Sequence, residues 1–230
     1  MKNIELTPRL KTIGDMVREG VRVADVGTDH AFLPLYLIKS GKVRSAIASD
    51  INIGPIKNAQ KNIIEHQCQK LIKVVHCSGL DGISAGEVDD VIVAGMGGEL
   101  ISAIINNASW LKSSDMHLVL QPMSRANELR KYLCDNCFEI AEERIACEGR
   151  RLYTIISAYY SGKKVEYDDV FLYVGKVLSS TSDQAKRYVL NQSDILRKAA
   201  EGMEKSDNDK EKCVKLYDLS LRIEKCVEGI

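Results

Sequence analysis

Over about the first 160 residues, short apolar runs alternate with segments of helical spacing, and this alternation constrains the fold more than any other feature of the sequence. The apolar runs have the length of buried strands, and the segments between them follow the 3.6-residue period of a helix. Such an alternation is typical of an α/β domain with a parallel sheet. The chain has 230 residues, which is enough for one such domain and a small appendage.

The spacing predicts seven strands, at residues 21–26, 45–50, 72–77, 88–94, 117–121, 138–147 and 152–160. Pro122 is expected to close the fifth strand, and Ser124 to cap the helix that follows it. Glu148-Gly149-Arg150-Arg151 predicts a hairpin between the last two strands. An antiparallel pair at the end of a parallel sheet is more typical of the seven-stranded sheet of methyltransferases than of a dehydrogenase sheet.

After Gly162 the pattern becomes helical, apart from a short strand-like stretch near residues 170–174. From Ser182 onward apolar residues step by three and four, on both sides of a polar turn at residues 206–209. We therefore predict an antiparallel coiled-coil hairpin, because neither helix is long enough to be stable alone. This divides the chain into a ligand-binding domain at residues 1–162 and a C-terminal helical domain at residues 163–230.

The first strand ends in a loop that reads Asp25-Val26-Gly27-Thr28-Asp29-His30. In a parallel α/β sheet, ligands meet the turns at the carboxyl ends of the strands. A dinucleotide would need three glycines here to hold its pyrophosphate, and this loop has one. The loop therefore suits a ligand without phosphate, such as S-adenosylmethionine (AdoMet), whose ammonium group Asp29 could bind. A plain strand-to-helix turn is the alternative.

Asp50 ends the second predicted strand, 25 positions after Asp25. A carboxylate near that spacing commonly accepts hydrogen bonds from ribose hydroxyls. Ser78 and Gly79 follow the third strand, where an adenine ring would rest. With these features in register, the sequence favours a nucleoside ligand over a solvated acid at a strand end.

A glycine-rich segment, Gly95-Met96-Gly97-Gly98, follows the fourth predicted strand. It predicts either a floor for a methyl-accepting site or tight packing of the next helix. Gln121, before Pro122, carries an amide that could pair with a base edge, and a simple strand end is the alternative. No metal-ligand spacing and no Ser-His-Asp order is visible, so we expect no metal.

The composition indicates which cellular compartment and which partners we expect for the protein. The formal net charge is zero, so a nucleic acid would have to meet a local basic patch. Seven cysteines at irregular spacing are typical of free thiols in a reducing cytosol. The sequence has no signal-peptide pattern and no apolar run of bilayer length, so we expect a cytoplasmic protein without a membrane partner.

Four strings in the chain resemble the bacterial TrmK family. They are Leu6-Thr7-Pro8-Arg9-Leu10, Ala24 to Pro34 (ADVGTDHAFLP), Ala94 to Ile101 (AGMGGELI) and Leu120-Gln121-Pro122-Met123. The resemblance covers essentially the whole chain, including the predicted hairpin and the C-terminal helices. It implies a Rossmann-like class I AdoMet-dependent methyltransferase that modifies N1 of adenosine 22 in tRNA. The chain departs from the family pattern at Asp50 (usually Glu), Ser78 (usually Asp or Asn) and Met123 (often Asn).

The resemblance and the residues together give a candidate cofactor site of Arg9, Asp25, Gly27, Thr28, Asp29, His30, Asp50, Ile51, Ser78, Gly79, Gly95 and Met96. The resemblance implies that Arg9 reaches the methionine carboxylate or an RNA phosphate. The candidate acceptor site consists of Gly95, Met96, Gly97, Gln121 and Pro122, with no catalytic residue assigned.

The expected partner is tRNA, and the expected state is a monomer or at most a weak dimer. The alternatives are a methyltransferase for another RNA, a protein or a small molecule, and a non-catalytic AdoMet- or RNA-binding scaffold.

Overall fold

A computed structural model describes residues 4–180, 182–205 and 210–229, and these residues form one seven-stranded sheet. The strands are β1 (Val21–Val26), β2 (Val43–Asp50), β3 (Ile72–His76), β4 (Asp90–Gly97), β5 (His117–Ser124), β6 (Phe138–Glu148) and β7 (Arg151–Tyr160). Their order is β3-β2-β1-β4-β5-β7-β6. β7 runs antiparallel to β5 and β6, whereas the pairs among β1 to β5 are parallel. The predicted methyltransferase-type sheet is confirmed.

Helices cover both faces of the sheet. They are α1 (Pro8–Met16), α2 (Phe32–Lys39), α3 (Ile53–Glu65), α4 (Gly98–Asn107) and α5 (Ala126–Asp135), followed after the sheet by α6 (Asp169–Val174), α7 (Asp183–Lys205) and α8 (Lys210–Lys225). Because side chains alternate along a strand, β1 contributes Val23 to one apolar layer and Ala24 and Val26 to the other. None of the helices in the described ranges is long and apolar enough to cross a membrane.

The ends of β4 and β5 are longer than the sequence predicts. Gly95, Met96 and Gly97 form the end of β4 rather than a turn after it, and Pro122 lies within β5. The two strands remain paired through this stretch, although the register shifts on both sides of Met96. The glycine-rich segment is therefore an irregular strand end, and its backbone follows a path that a regular strand would not allow.

Two local predictions are wrong. Ser124 does not cap α5, because Arg125 precedes the helix in a left-handed conformation (φ 54°) without a side-chain capping bond. The strand-like stretch at residues 170–174 is part of α6. The Asp168 carboxylate accepts a hydrogen bond from the backbone N–H of Phe171 at 2.7 Å, and this capping bond starts the helix.

The predicted pair of C-terminal helices is present, in α7 and α8. Ser193 Oγ donates to the carbonyl of Ser220 at 2.9 Å, and Cys213 Sγ donates to the carbonyl of Ala200 at 3.3 Å. These two contacts run in opposite directions along the chain, so the helices are antiparallel. An apolar cluster of α6, α7 and α8 residues lies apart from the two layers on the sheet. The polar turn predicted at residues 206–209 lies outside the described residues.

A buried ion pair attaches this C-terminal arm to the sheet. Arg130 on α5 meets Glu143 on β6 at 2.7 Å, and both side chains are fully buried. The Arg130 guanidinium also donates to the carbonyls of Leu172 and Tyr173 and to the Tyr188 hydroxyl. Burial alone would lower the pKa of Arg130, but the Glu143 carboxylate raises it, so the guanidinium keeps its charge. One side chain thus fixes α6 and α7 relative to β6.

Candidate cofactor and acceptor site

The loop after β1 is held in place by bonds within the chain. The backbone N–H groups of Gly27 and Thr28 both donate to the carbonyl of Ser49, at 2.8 and 3.0 Å. Thr28 Oγ1 donates to Asp25 Oδ2 at 2.6 Å, and both side chains are buried. Gly27 has a φ of 77°, a conformation that side chains disfavour. The loop therefore has its shape before any ligand arrives.

Burial raises the pKa of the Asp25 carboxyl from 3.8 to about 6. The hydrogen bond from Thr28 lowers this pKa, and the nearby charge of Asp50 raises it again. A carboxylate that is buried beside another carboxylate favours a cationic ligand, because a positive charge would stabilise its ionised form.

Asp29 and His30 differ from Asp25 because they are open to solvent. The Asp29 side chain is 69% exposed and lies 3.6 Å from Nε2 of His30, measured from Oδ1. The His30 ring stacks on Phe32 with their centroids 5.3 Å apart. Asp29 and Ala31 both have positive φ angles, of 53° and 56°, which is strained for residues other than glycine. The exposed carboxylate of Asp29 is thus available to an incoming ligand.

Asp50 lies at the end of β2, as predicted, and is mostly buried. Its Oδ1 accepts from the backbone N–H of Asn52 at 2.8 Å. The next residue, Ile51, is 62% exposed, and its carbonyl lies 2.8 Å from Nε2 of His76. Asp50 is therefore oriented by its own loop, beside an exposed apolar side chain.

Ser78 and Gly79 follow β3 and line a cavity of about 310 Å³ against α4. Cys77, just before them, donates its backbone N–H to the carbonyl of Asp50 at 3.1 Å, which keeps this loop next to β2. Gly79 has a φ of 53°, and a Cβ there would lie 3.3 Å from Ile104. Backbone conformation and helix packing thus account for this glycine.

Packing of the next helix, one of the two alternatives for the glycine-rich segment, accounts for Gly98. A Cβ on Gly98 would overlap the carbonyl oxygen of Arg125, so this glycine allows α4 to pack closely on the start of α5. Gly95 instead has a φ of 77° and donates its N–H to Gln121 Oε1 at 3.1 Å. A Cβ on Gly27 would overlap Cε of Met96, so the loop after β1 and the end of β4 touch.

Gln121 is fully buried, and its amide is used within the protein. Its Oε1 accepts from Arg9 Nη1 at 2.8 Å as well as from Gly95, and its Nε2 donates to the carbonyl of Pro122 at 2.8 Å. The Arg9 guanidinium also lies 5.6 Å from the ring centroid of Tyr153. This arrangement favours a positioning role for Gln121 over direct pairing with a base.

A cleft of about 640 Å³ adjoins this acceptor side of the site. It lies between the end of β5, the β6–β7 hairpin and α7, and its lining includes Met123, Arg150, Arg151, Tyr153 and Arg187. The sequence alone does not predict this cleft. The Arg-Arg pair in the hairpin was a signal, but nothing in the sequence places Arg187 opposite it.

The structure also joins an aspartate, a histidine and a serine that the sequence does not reveal as a group. His117 Nδ1 lies 3.0 Å from Asp90 Oδ2, and its Nε2 lies 2.7 Å from Ser157 Oγ. Asp90 also accepts from the backbone and the guanidinium of Arg18. The group lies at the amino ends of β4 and β5, away from the candidate site, and Asp90 and Ser157 are buried. It therefore ties α1 to the sheet rather than forming an open nucleophile.

The described residues contain no cluster of three or more His, Cys, Asp or Glu side chains that could hold a metal ion. The carboxylates Asp25, Asp29 and Asp50 instead gather at the edge where the parallel strands end. A loop with one glycine and three nearby carboxylates fits a cationic nucleoside without phosphate, which is the chemistry of AdoMet.

The methyltransferase domain family matches residues 6–156, which span the sheet and the candidate site. Fold and site thus define the chain as a methyltransferase domain. A Bacillus subtilis tRNA (adenine(22)-N(1))-methyltransferase is 31% identical over 178 residues, covering 77% of this chain and 75% of that protein. Within the class, the chain belongs to the family of tRNA (adenine(22)-N1)-methyltransferases.

Solved structures extend the similarity through the C-terminal helices. A Streptococcus agalactiae protein of the NADB-Rossmann superfamily is 32% identical, with a TM-score of 0.85 over 97% of both chains. A Streptococcus pneumoniae structure of a candidate tRNA (m1A22) methyltransferase in complex with S-adenosyl-L-methionine is 27% identical, with a TM-score of 0.83. That match covers 96% of this chain and 100% of the other.

Proposed function

We propose that this protein transfers a methyl group from AdoMet to N1 of adenosine 22 in tRNA. One observation carries the proposal: the cofactor loop and the acceptor side touch, with Met96 against Gly27, in a chain whose relative is named for this reaction. The structure of a 27% identical protein with AdoMet supports the same methyl donor.

On the donor side, three carboxylates have different roles in binding AdoMet. Asp29 binds the ammonium group through its exposed carboxylate, and Asp50 accepts hydrogen bonds from the ribose hydroxyls. Asp25, buried beneath them, contributes negative charge and holds Thr28 in place. The rest of the proposed cofactor site consists of Arg9, Gly27, His30, Ile51, Ser78, Gly79, Gly95 and Met96.

When bound, AdoMet supplies an electrophilic methyl group. N1 of a neutral adenine carries a lone pair, so no residue of this chain has to remove a proton from it. The residues around Gly95, Met96 and Pro122 act by alignment, and Gln121 fixes Gly95 through its Oε1. The target base must be exposed or flipped from folded tRNA, which costs about a few kcal/mol. We assign no general base.

The C-terminal helices belong to the same proposal. We propose that residues 1–162 bind the cofactor and that residues 163–230 help to grip the tRNA as a separate domain. The protein acts as a monomer, without a metal ion, in the cytoplasm where its substrate resides.

The test is mass spectrometry of tRNA nucleosides after incubation of unmodified tRNA with the protein and AdoMet. We expect 1-methyladenosine in tRNA with adenosine at position 22, and none in a matched tRNA with guanosine there. Absence of 1-methyladenosine from the first tRNA would overturn the proposal, as would equal methylation of both.

A further inference from the structure

Three arginines in the cleft differ from most other arginines of the chain because they have no carboxylate partner. Arg150, Arg151 and Arg187 are all exposed, and among the described residues no Asp or Glu forms an ion pair with any of them. Seven other arginines do have such a partner: Arg18, Arg22, Arg125, Arg130, Arg144, Arg197 and Arg222. In a chain of zero formal charge, positive charge is thus concentrated here.

The acidic residues near the cleft do not neutralise this charge. Asp194 lines the cleft on α7, but its carboxylate lies 3.6 Å from Arg197, which also pairs with Glu224 at 2.6 Å. Glu148 accepts from the backbone N–H of Arg9 at 3.0 Å. The cleft is therefore lined by three arginines and one acidic side chain, Asp194, which leaves an excess of positive charge.

A short series of contacts leads from the cleft to the acceptor site. Tyr153 lines the cleft, and the Arg9 guanidinium lies 5.6 Å from its ring centroid. Arg9 in turn donates to Gln121 at 2.8 Å, and Gln121 accepts from Gly95 at the end of β4. Met123, which is 49% exposed, also lines the cleft. A polyanion in the cleft would thus lie next to the side chains that hold the end of β4, where we propose that methyl transfer takes place.

We infer that this cleft binds the RNA backbone next to the target adenosine, with Arg150, Arg151 and Arg187 contacting phosphates from two sides. The β6–β7 hairpin supplies two of the guanidinium groups and α7 supplies the third, so the backbone lies between them. Arginine suits this task because its planar fork binds phosphate oxygens in pairs. This inference rests on the proposed function and names the surface that receives its substrate.

RNA is favoured over an acidic protein segment by the aromatic ring in the cleft. Tyr153 offers a surface on which an unstacked base can lie, and stacking on aromatic side chains is a common mode of RNA recognition. Asn191, exposed on α7, adds a neutral hydrogen-bonding group among the arginines.

The test compares two full-length triple variants with the wild type. One variant carries R150Q, R151Q and R187Q; the matched control carries K61Q, K70Q and K112Q, three exposed lysines without a carboxylate partner in the described part of the chain. Binding of unmodified tRNA is measured at several salt concentrations, together with AdoMet affinity and steady-state methylation.

We expect the arginine variant to bind tRNA on the order of 10- to 100-fold more weakly at low salt. Its slope of log affinity against log salt should fall by about 2 to 3, since each lost phosphate contact removes about one unit. KM for tRNA should rise while kcat at saturating tRNA and AdoMet affinity stay unchanged. The lysine variant should stay within about threefold of the wild type.

Unchanged tRNA affinity and salt slope in the arginine variant would overturn the inference, and so would an equal loss in the lysine variant. A loss of binding to polyglutamate with tRNA binding intact would identify the cleft as a protein-docking surface and would equally overturn it. These outcomes are distinct from failure of the proposed function, in which the wild type itself forms no 1-methyladenosine.

Discussion

The donor side of the site and the arginine-lined cleft are built in opposite ways. On the donor side, Asp25 and Asp50 are buried and hydrogen-bonded to their own loops. In the cleft, Arg150, Arg151 and Arg187 are exposed and unpaired with carboxylates in the described structure. The donor side thus has its geometry before binding, whereas the side chains of the cleft remain free to adjust.

This difference is what we expect from the two ligands that we propose for these surfaces, AdoMet and an RNA backbone. A small cofactor makes few contacts, so its affinity depends on groups that are already in position. An RNA backbone presents the same charge at every step, and attraction to it needs little exact geometry. Three predictions test this difference between the donor side and the cleft.

The largest expected effect comes from Arg130→Met. This change leaves the Glu143 carboxylate buried without a positively charged partner, which should lower the free energy of unfolding by about 3–5 kcal/mol. It also removes the donor to Leu172 and Tyr188, so α7 should lose its fixed position beside the hairpin. Urea unfolding measures the stability, and titrations of the folded variant should show weaker tRNA binding with AdoMet affinity retained.

The double variant R130M/E143M is the control, because it removes both charges and leaves neither of them buried alone. It should recover most of the lost stability. If the single variant lost less than about 1 kcal/mol, the pair would not hold the arm to the sheet.

An effect of intermediate size is expected in the pH dependence of stability, through Asp25 on the donor side. The folded protein holds the Asp25 proton up to about pH 6, whereas the unfolded chain releases it near 3.8. Folded molecules therefore bind more protons between these values, so this group lowers stability as pH rises through that window, by up to about 3 kcal/mol. Asp25→Asn should be more stable than the wild type at pH 7, and the advantage should shrink toward pH 4.

Cofactor affinity should show the opposite trend. Ionised Asp25 attracts a cation, so AdoMet should bind the wild type more tightly at pH 7 than at pH 5, and D25N should lack this dependence. Calorimetric titrations of both proteins measure it. A stability difference between the two proteins that stays constant from pH 4.5 to 7 would contradict the prediction.

The smallest effect is expected for Gly27→Ala. With a side chain present, the φ of 77° at this position should lower the free energy of unfolding by about 1–2 kcal/mol. The added Cβ would also displace Met96. We expect AdoMet affinity to fall about tenfold. Calorimetric titration measures this affinity, and thermal unfolding measures the loss of stability separately.

Gly41→Ala is the matched control, because Gly41 has a φ of 73° and open space around it. It should lose similar stability and keep its AdoMet affinity. Equal loss of affinity in both variants would mean that backbone strain, and not the contact with Met96, weakens the cofactor site.

Local pattern and fold rules were enough to predict much of this molecule. The bounds of β1 agree with the prediction, Asp50 ends β2, and the hairpin and the C-terminal helices are where the spacing placed them. These features depend on residues close in sequence or on the general rule that ligands meet the carboxyl ends of parallel strands.

The features that were missed depend on contacts between distant segments. Gly95 to Gly97 stay in a strand because β5 pairs with them, and Gln121 is occupied because Arg9, from the other end of the domain, reaches it. Arg187 joins Arg150 only after α7 folds back onto the hairpin. Such contacts cannot be predicted from the local hydrophobic period or from secondary-structure propensity.

The reversed direction of β7 has a consequence for reach. Because β7 is antiparallel to β5, the turn at Gly149 and Arg150 lies at the same edge of the sheet as the ends of β4 and β5. Each further residue pair in the two arms would extend the turn by about 3.3 Å and invert the side toward which its arginines point. Two pairs would restore that side about 6–7 Å further out. In the RNA-binding role that we infer for the cleft, the length of the hairpin therefore sets how far along the RNA backbone these arginines reach.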